Sequence, residues 1–347
     1  MFLSPPALRA WLRISLVAML CTMGPSAAAQ EAKDKPKAWK LSTAVGPAFA
    51  LGKAGQRWAK LIAEKSDGKL AVQLFPGAAL AQRDPAREFL ALRDGAADLA
   101  VGSTLFWAPQ VNELTLIGLP WLAPDGRALD ALVAGTVKDR LDAAIERAGG
   151  VPLALAALGH RALATTAKDV RTPEDLGGLE VRVTSTPLLF DLFMGLGAHP
   201  RAMAFADAET AFRAGTLNAQ EGTPAPFAAA RLDALGVRHV LLWGAVAEAA
   251  VFAVNRTVWD GFSEEQRGFV SDAAQQAARE LPALVQAEND AALADLRKRG
   301  IVVTRLTATG QGAFAAAARG VYDKWAAVAG EDLVRAAEAA VKAAAPP

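Results

Sequence analysis

Arg182 is the residue of this sequence best suited to bind a ligand. It lies within an apolar alternation formed by Leu179, Val181 and Val183, a pattern typical of a short strand. It has no evident acidic partner, and an unpaired guanidinium in a half-buried cleft is energetically costly. Either a carboxylate elsewhere in the chain, with Glu221 as the candidate, or an anionic ligand should therefore meet it. A ligand carboxylate fits especially well, because it accepts two hydrogen bonds from the planar guanidinium.

Two further residues occupy positions compatible with a ligand cleft. Arg161 comes shortly after Val151–Leu158, an almost wholly apolar segment typical of a buried central strand. An arginine at the carboxyl end of a strand suits a ligand contact, although a solvated loop position is equally compatible with the pattern. Trp107 lies in the irregular apolar stretch 105–122, where core or lobe-interface packing is favoured over lining a cleft.

The sequence lacks the patterns of metal, cofactor and covalent catalytic sites. None of its histidines has a second His or a Cys at ligand spacing, and neither a G-x-S-x-G nor a G-x-x-x-x-G-K-[ST] sequence occurs. Two carboxylate pairs fit helix N-termini, where acidic residues are electrostatically favoured, better than acid–base catalysis. We therefore expect no metal, no cofactor and no catalysed reaction. The histidines are His160, His199 and His239, and the carboxylate pairs are Asp207 with Glu209 and Glu264 with Glu265.

Local signals place Arg182 in an α/β unit that spans Thr172–Thr223. The Thr-Pro-x-Asp sequence that begins at Thr172 combines an N-cap, a proline in the first turn and a near capping box, and a glycine pair ends this short helix. The pattern then predicts helices over 187–196 and 207–214, each terminated by glycine. In such α/β units, ligands bind in the crevice beyond the strand ends.

The remaining chain continues this alternation of strands and helices. Trp39–Ala44 and Ala97–Ser103 are typical strands, and Asp125–Arg147 is predicted as one long helix. Ala247–Asn255 is a further predicted strand, which returns the chain to its first half. Two alanine-rich helices are predicted at the end of the chain.

A long helix is predicted after Ser263. Ser263 and Gln266 form a capping box, and the helical pattern continues to Arg299 with Pro282 inside it. The proline should bend the helix. About 35 residues would span roughly 50 Å, which is enough to lie across two lobes.

The N-terminus indicates export. Arg9 and Arg13 precede a short apolar run, and Ala27-Ala28-Ala29 suits cleavage before Gln30, so 1–29 is predicted to be a signal peptide cleaved near Ala29. The apolar run holds about 10 residues, whereas a membrane span needs about 20. The only cysteine, Cys21, lies within the run, which leaves an exported protein without disulfides, thiol nucleophiles or Cys-bound metals.

Composition adds limits on the class of partner. The 347 residues are about half apolar and carry a formal charge of +1, so the chain can bury one large core or two ordinary ones. No basic stripe is present, and we expect no nucleic-acid partner.

Taken together, these pieces resemble the solute-binding proteins of tripartite ATP-independent periplasmic (TRAP) transporters, the DctP-like family. The family pattern of a short helix, an arginine-bearing strand and a downstream acidic strand is matched by EDLGGLEVRV, LGAHP and AMAFADAETAFRAGTLNAQEGTP. Further matching pieces are LFPGAAL, LRDGAADLAVGS, ELTLIGLPWL and VNRTVWDGFSEEQR. The resemblance extends from about Trp39 to Leu333.

The resemblance implies an α/β fold of two lobes, type II-like, with crossing hinge strands and a lobe-spanning helix. We assign 38–158 with 249–287 to lobe I and 159–248 with 288–347 to lobe II. The resemblance also implies a periplasmic protein that binds a small organic acid, closes around it and delivers it to the membrane permease subunits of a TRAP transporter. A secreted enzyme on the same two-lobe frame, or a binding protein that feeds a sensor, are the alternatives.

The resemblance implies roles for single residues. Arg182 matches the arginine that binds the carboxylate, Phe205 the aromatic residue that packs on the ligand, and Arg161 a second, more variable arginine. Glu221 is expected to supply a secondary polar contact, and Trp107 is a candidate for shaping the apolar part. The sequence departs from the family pattern at Gly222, which replaces an asparagine that commonly donates to the ligand, and we expect a larger or wetter pocket there.

Overall fold

The computed structural model describes residues 38–345. The predicted signal peptide, its cleavage site and Cys21 lie outside these residues. Eleven strands are present in the described range: β1 Trp39–Thr43, β2 Val72–Pro76, β3 Leu99–Ser103, β4 Gly150–His160, β5 Ala162–Thr165, β6 Glu180–Val183, β7 His199–Ala202, β8 Ala219–Gly222, β9 His239–Leu242, β10 Ala247–Asn255 and β11 Val302–Arg305.

Thirteen α-helices accompany them in the same range. They are α1 Ala50–Lys65, α2 Glu88–Arg93, α3 Thr104–Trp107, α4 Gly126–Leu132, α5 Gly135–Arg147, α6 Pro187–Gly195, α7 Ala208–Arg213, α8 Pro224–Ala229, α9 Arg256–Asp260, α10 Glu264–Lys298, α11 Ala308–Ala317, α12 Arg319–Ala329 and α13 Glu331–Ala344. None of these helices combines the length and the apolar composition needed to cross a bilayer.

The strands form two mixed sheets, one in each lobe. The first has the order β2-β1-β3-β10-β4, and the second has the order β11-β9-β5-β8-β6-β7. In the first, β10 is antiparallel to β3 and β4; in the second, β6 is parallel to β7 and β8. This architecture confirms the α/β fold class expected from the sequence. Because β6 and β8 are parallel and Arg182 and Glu221 are each the penultimate residue of their strand, both lie near the carboxyl ends of these strands.

Three connections cross between the lobes. The chain passes from β4 to β5 at Arg161, and it returns from β9 to β10 through 243–246. The third connection is α10, which packs along α1 and β4 of the first lobe and along α8 and β11 of the second. Its 35 residues, its Ser263–Gln266 capping box and the internal Pro282 all agree with the prediction.

Each lobe has apolar cores on the faces of its sheet. On the first sheet, Trp58 and Phe252 pack on one face and Phe89 and Trp107 on the other, all fully buried. On the second sheet, one core contains Phe193, Trp243 and Phe314, and the other contains Phe227. Because both sheets are covered on both faces, their strand ends remain as the accessible edges.

Two predicted segments differ from the structure. The predicted helix 125–147 is two helices, because Ala134 is extended and Gly135 adopts a left-handed φ of 55° between α4 and α5. The end of the chain forms three helices, and α13 packs against α4 and α5. Tyr322, Leu333 and Val334 belong to the same apolar cluster as Phe89 and Trp107, and the predicted lobe boundaries stay predictions.

Candidate functional site

Arg182 lies buried at the carboxyl half of β6, with 5% of its surface exposed. Its Nε and Nη2 donate to the carbonyl oxygen of Met203, at 3.1 and 2.9 Å. Its Nη1 has only a distant carboxylate, the Oε1 of Glu221 at 3.8 Å, which exceeds hydrogen-bond distance. The Phe205 ring lies 5.5 Å from the guanidinium carbon, in cation–π range. One end of this guanidinium is thus fixed, and the other has no acceptor within hydrogen-bond distance among the described residues.

Burial affects the electrostatics of Arg182 directly. It lowers the pKa of the guanidinium; the carboxylate of Glu221 opposes this change, and the positive charge of Arg161 adds to it. A guanidinium remains charged despite such a change, because its ordinary pKa is so high. A buried cation whose charge is incompletely compensated favours an anionic partner.

Arg161, at the crossing between β4 and β5, is bound by two carboxylates. Its Nε donates to Glu221 Oε2 at 2.5 Å and its Nη1 to Glu248 Oε2 at 2.9 Å, and all three side chains are buried. Although burial lowers its pKa, the two carboxylates raise the pKa of Arg161 above its usual value. Its Nε and Nη1 already have acceptors, unlike the Nη1 of Arg182.

These contacts continue into both lobes. The hydroxyl of Ser103, at the end of β3, donates to Glu248 Oε1 at 2.5 Å. The backbone N–H of Thr184, just after β6, donates to Glu221 Oε1 at 2.7 Å. The resulting network, which we call the crossing network, consists of Ser103, Glu248, Arg161, Glu221 and Arg182. Its two arginines and two glutamates have equal and opposite charge.

The sequence did not identify Glu248 or Ser103 as site residues. Glu248 is the only charged residue in the run Ala247–Val254, and this isolated charge in an apolar strand was a usable signal. Its pairing with Arg161 spans 87 positions of the chain, so no local pattern indicated the partner. The carbonyl of Met203 that holds Arg182 left no sequence signal.

Gly222 lies at the end of β8 against the ring of Phe227, and its expected effect on the size of a pocket stays a prediction. A β-carbon on Gly222 would lie 2.7 Å from Cε1 and 3.2 Å from Cζ of Phe227, so an aromatic ring fills the adjoining space. Phe205, by contrast, is 36% exposed beside Arg182.

Trp107 is a core residue in this structure. It is fully buried and packs on Phe89, with ring centroids 5.2 Å apart. Nearby on the same sheet face, Glu88 is fully buried and accepts a hydrogen bond from the hydroxyl of Ser42 at 2.7 Å. Burial raises the pKa of Glu88 to about 7, against the opposing effect of hydrogen bonding.

A cavity of about 250 Å³ lies between the two lobes, beyond the ends of β3 and β6. Its walls come from α3 and the residues that follow it, from the start of α6 and from α12. No charged side chain lines it. Among residues 38–345, no group of three or more His, Cys, Asp or Glu side chains is placed to hold a metal ion. The cavity is lined by Leu105, Ala108, Pro109, Asn112, Leu114, Thr115, Gly118, Thr186, Pro187, Leu188 and Trp325.

Comparison with known proteins gives consistent matches. The family model for bacterial extracellular solute-binding protein, family 7 (DctP), matches residues 41–328. A solute-binding protein of Verminephrobacter eiseniae is 29% identical over 253 residues, which cover 73% of this chain and 74% of that protein.

Two solved structures add information on ligands. A TRAP periplasmic solute-binding protein from Ralstonia eutropha, with bound (S)-2-acetolactate, is 41% identical with a TM-score of 0.83, covering 88% of this chain and 98% of that one. A TRAP periplasmic solute-binding protein from Bordetella bronchiseptica, with density interpreted as pantoate, is 26% identical with a TM-score of 0.77, covering 87% and 98%.

Proposed function

This chain belongs to bacterial extracellular solute-binding protein family 7, and from that premise we propose that it binds a short, branched 2-hydroxy monocarboxylate for a TRAP transporter. It is a solute-binding protein for small organic acids, not a member of an enzyme family. The finer assignment of the acid rests on the site described above and on two relatives of known ligand.

The observation that supports carboxylate binding most directly is the geometry of Arg182. Nε and Nη2 are fixed by the Met203 carbonyl, so the orientation of the guanidinium is set before a ligand arrives. Its Nη1 is 3.8 Å from the nearest carboxylate oxygen and therefore has a proton to donate to a ligand oxygen. Phe205 covers the guanidinium and offers an apolar surface to the rest of the ligand.

The proposed acid class follows from the chemistry of the ligands in the related structures. (S)-2-Acetolactate, bound by the relative that is 41% identical, and pantoate both carry one carboxylate, a 2-hydroxyl group and a branched carbon skeleton. A site with a single incompletely paired arginine suits one carboxylate.

We assign different tasks to the other candidate residues. Arg161 and Glu221 orient each other and Arg182, and they contact the ligand only secondarily. Gly222 contributes backbone to the site, and Trp107 supports the first lobe from its core. Binding would favour the closed arrangement of the lobes, because the ligand contacts both of them only in that arrangement.

Export and delivery complete the proposal. The family is periplasmic, and we propose that the signal peptide is removed near Ala29 before the protein folds in that compartment. The loaded protein then docks on the membrane permease subunits of a TRAP transporter. Transfer to a sensor is the alternative destination, and genes for two membrane subunits beside this one would favour the permease. Conversion of the bound acid to a product, observed by mass spectrometry, would instead favour the enzyme alternative.

A thermal-shift screen with purified protein tests the proposed ligand class. The panel should contain 2-hydroxy-3-methylbutanoate, pantoate and (S)-2-acetolactate beside succinate, glucuronate and galactonate. A true ligand at a hundred times its Kd adds about 2.7 kcal/mol to the unfolding free energy. Stabilisation by the branched acids and not by the others supports the assignment. Stabilisation by succinate or the sugar acids alone would refute it.

A further inference from the structure

Glu248 lies on β10 at a point where the pairing of this strand with β4 is irregular. Glu248 itself is in register with Gly159. The next pair joins Ala249 to Ala157, so one residue of β4 is passed over. Gly159 has a φ of 90°, in the left-handed region that favours glycine. Irregularities of this kind redirect side chains, and the Glu248 carboxylate here lies 2.9 Å from Nη1 of Arg161.

The first lobe holds the Glu248 carboxylate in place. The hydroxyl oxygen of Ser103 accepts a hydrogen bond from the backbone N–H of Leu105 at 3.1 Å, which leaves its own proton for Glu248 Oε1. The backbone beside the carboxylate is held as well, because the N–H of Ala249 donates to Thr104 Oγ1 at 3.1 Å. Glu248 is also buried. Its position is therefore set by the chain itself and does not depend on a ligand.

This position of Glu248 decides how much charge Arg161 can offer to a ligand. The guanidinium of Arg161 donates to two carboxylates, through Nε to Glu221 and through Nη1 to Glu248. Its Nη2 donates to no acceptor among the described residues, so Arg161 can still give a hydrogen bond to a ligand oxygen. Its positive charge, however, is already compensated. Arg182 is left as the guanidinium of the crossing network without a carboxylate within hydrogen-bond distance.

We propose that Glu248 is a specificity-determining residue, which restricts the cleft to acids with one carboxylate by neutralising Arg161. This inference rests on the proposed function and deepens it. The first carboxylate of a ligand is bound by Arg182. A second carboxylate would be desolvated near Glu221 and Glu248 with no uncompensated cation left for it. A neutral oxygen, such as a 2-hydroxyl group, accepts a hydrogen bond from Arg161 without that electrostatic cost.

The test pairs one substitution with a matched control and two matched ligands. Glu248→Gln keeps the size of the side chain and raises the formal charge of the crossing network from zero to +1. Glu180→Gln changes the charge of the protein equally, but at the surface, where Glu180 bonds to Arg201 and His199 at the start of β6. The ligands are 2-hydroxysuccinate and its 4-amide, which share a skeleton and differ by one negative charge.

Calorimetry measures the Kd of each ligand, by displacement of 2-hydroxy-3-methylbutanoate where binding is weak. We expect wild type to bind the amide at least about 10-fold more tightly than the diacid, because like charges placed together are strongly unfavourable. In Glu248→Gln this preference should fall by at least about 10-fold, because the Coulomb energy gained from the added positive charge is proportional to the charge of the ligand. Glu180→Gln should keep the preference within about threefold of wild type, since exposed charges are screened.

A folded Glu248→Gln protein whose preference stays within about threefold of wild type would overturn the inference while leaving the proposed function intact. Wild type that binds the diacid more tightly than the amide would also overturn it. Wild type that binds none of the acids would instead overturn the proposed function.

A second measurement applies if Glu248→Gln is unfolded without ligand. Each ligand is then titrated into the variant while circular dichroism reports folding. The ratio of diacid to amide concentrations needed for refolding should be at least about 10-fold smaller than the ratio of their wild-type Kd values. A larger ratio, or refolding by neither ligand, would overturn the inference.

Discussion

Arg182 is expected to supply much of the affinity for the carboxylate, and replacing it by alanine is the most direct test. In the structure, the guanidinium makes no hydrogen bond to a carboxylate of the described residues, and its fixed end bonds only to the Met203 carbonyl. Its removal therefore takes the ligand's cationic partner away and leaves a buried carboxylate unpaired. Truncating one member of a buried, hydrogen-bonded charge pair costs about 2–5 kcal/mol. That range corresponds to an increase in Kd of roughly 30-fold to several thousand-fold.

Lysine at this position should restore only part of the affinity. Its ammonium group is a compact charge and cannot bond the Met203 carbonyl with two parallel N–H groups while also facing the ligand in a plane. We expect the Kd of Arg182→Lys to lie between the values of wild type and Arg182→Ala.

Arg201 provides a control within the same sheet. It is the register partner of Arg182 on β7, but its side chain is 51% exposed and bonds to Glu180 at the surface. Arg201→Ala should therefore leave the Kd nearly unchanged. Isothermal titration with the acid selected by the screen measures all three variants, and thermal denaturation verifies that each is folded. A change below threefold for Arg182→Ala in a folded protein would refute the assigned role.

Three further predictions concern the surrounding structure. Glu248→Gln should lower the unfolding free energy by about 3–5 kcal/mol in urea denaturation, because it leaves Arg161 with one charged partner in a buried site. Burial raises the pKa of Glu88 from an ordinary 4.5 to about 7, so as pH rises through this range the unfolded chain loses the proton first and stability falls. Between pH 5 and pH 8 the unfolding free energy of Glu88→Gln should therefore fall by roughly 2–3 kcal/mol less than that of wild type, as measured by urea denaturation at each pH. Ser263→Ala should cost about 1 kcal/mol, also measured in urea, by removing the N-cap of α10.

Each of these has a clear contrary result. A Glu248→Gln protein as stable as wild type would mean that the ion pair contributes little beyond its hydrogen bonds. An unchanged pH profile in Glu88→Gln would show that another group produces any decline observed. Equal stability of Ser263→Ala and wild type would mean that water replaces the hydrogen bond of the Ser263 cap at no cost in free energy.

Local signals explain which parts of the fold were predictable. The capping boxes at Thr172 and Ser263 act within four residues, so the sequence alone located the starts of the 3-10 helix Pro173–Leu176 and of α10. The break of the predicted helix near Gly135 was missed, because a glycine within a helical pattern is usually tolerated, whereas here the extended Ala134 and the left-handed φ of Gly135 separate α4 from α5. The DctP-like resemblance was confirmed because it rested on many separate pieces at consistent spacing.

The site was less accessible to sequence reasoning. Arg182 was visible as a charge in an apolar strand, but whether a carboxylate of the chain would neutralise it depended on Glu221 and Arg161, which are distant in sequence. The contribution of Glu248 and the position of the Phe227 ring arise from tertiary packing that no local pattern encodes. The roles of Phe205 and Gly222 toward a ligand stay predictions.

The equal numbers of positive and negative charges in the crossing network have a consequence for inorganic ions. Before any solute arrives, the two guanidinium groups already have two carboxylates nearby, so the empty cleft has no large excess of positive charge. Chloride or phosphate entering it would be dehydrated, and contact with the incompletely paired Arg182 would be its main electrostatic gain. An organic anion gains in addition from the burial of its carbon skeleton. The protein should consequently bind an organic anion in preference to inorganic anions, even where the inorganic anions are more abundant.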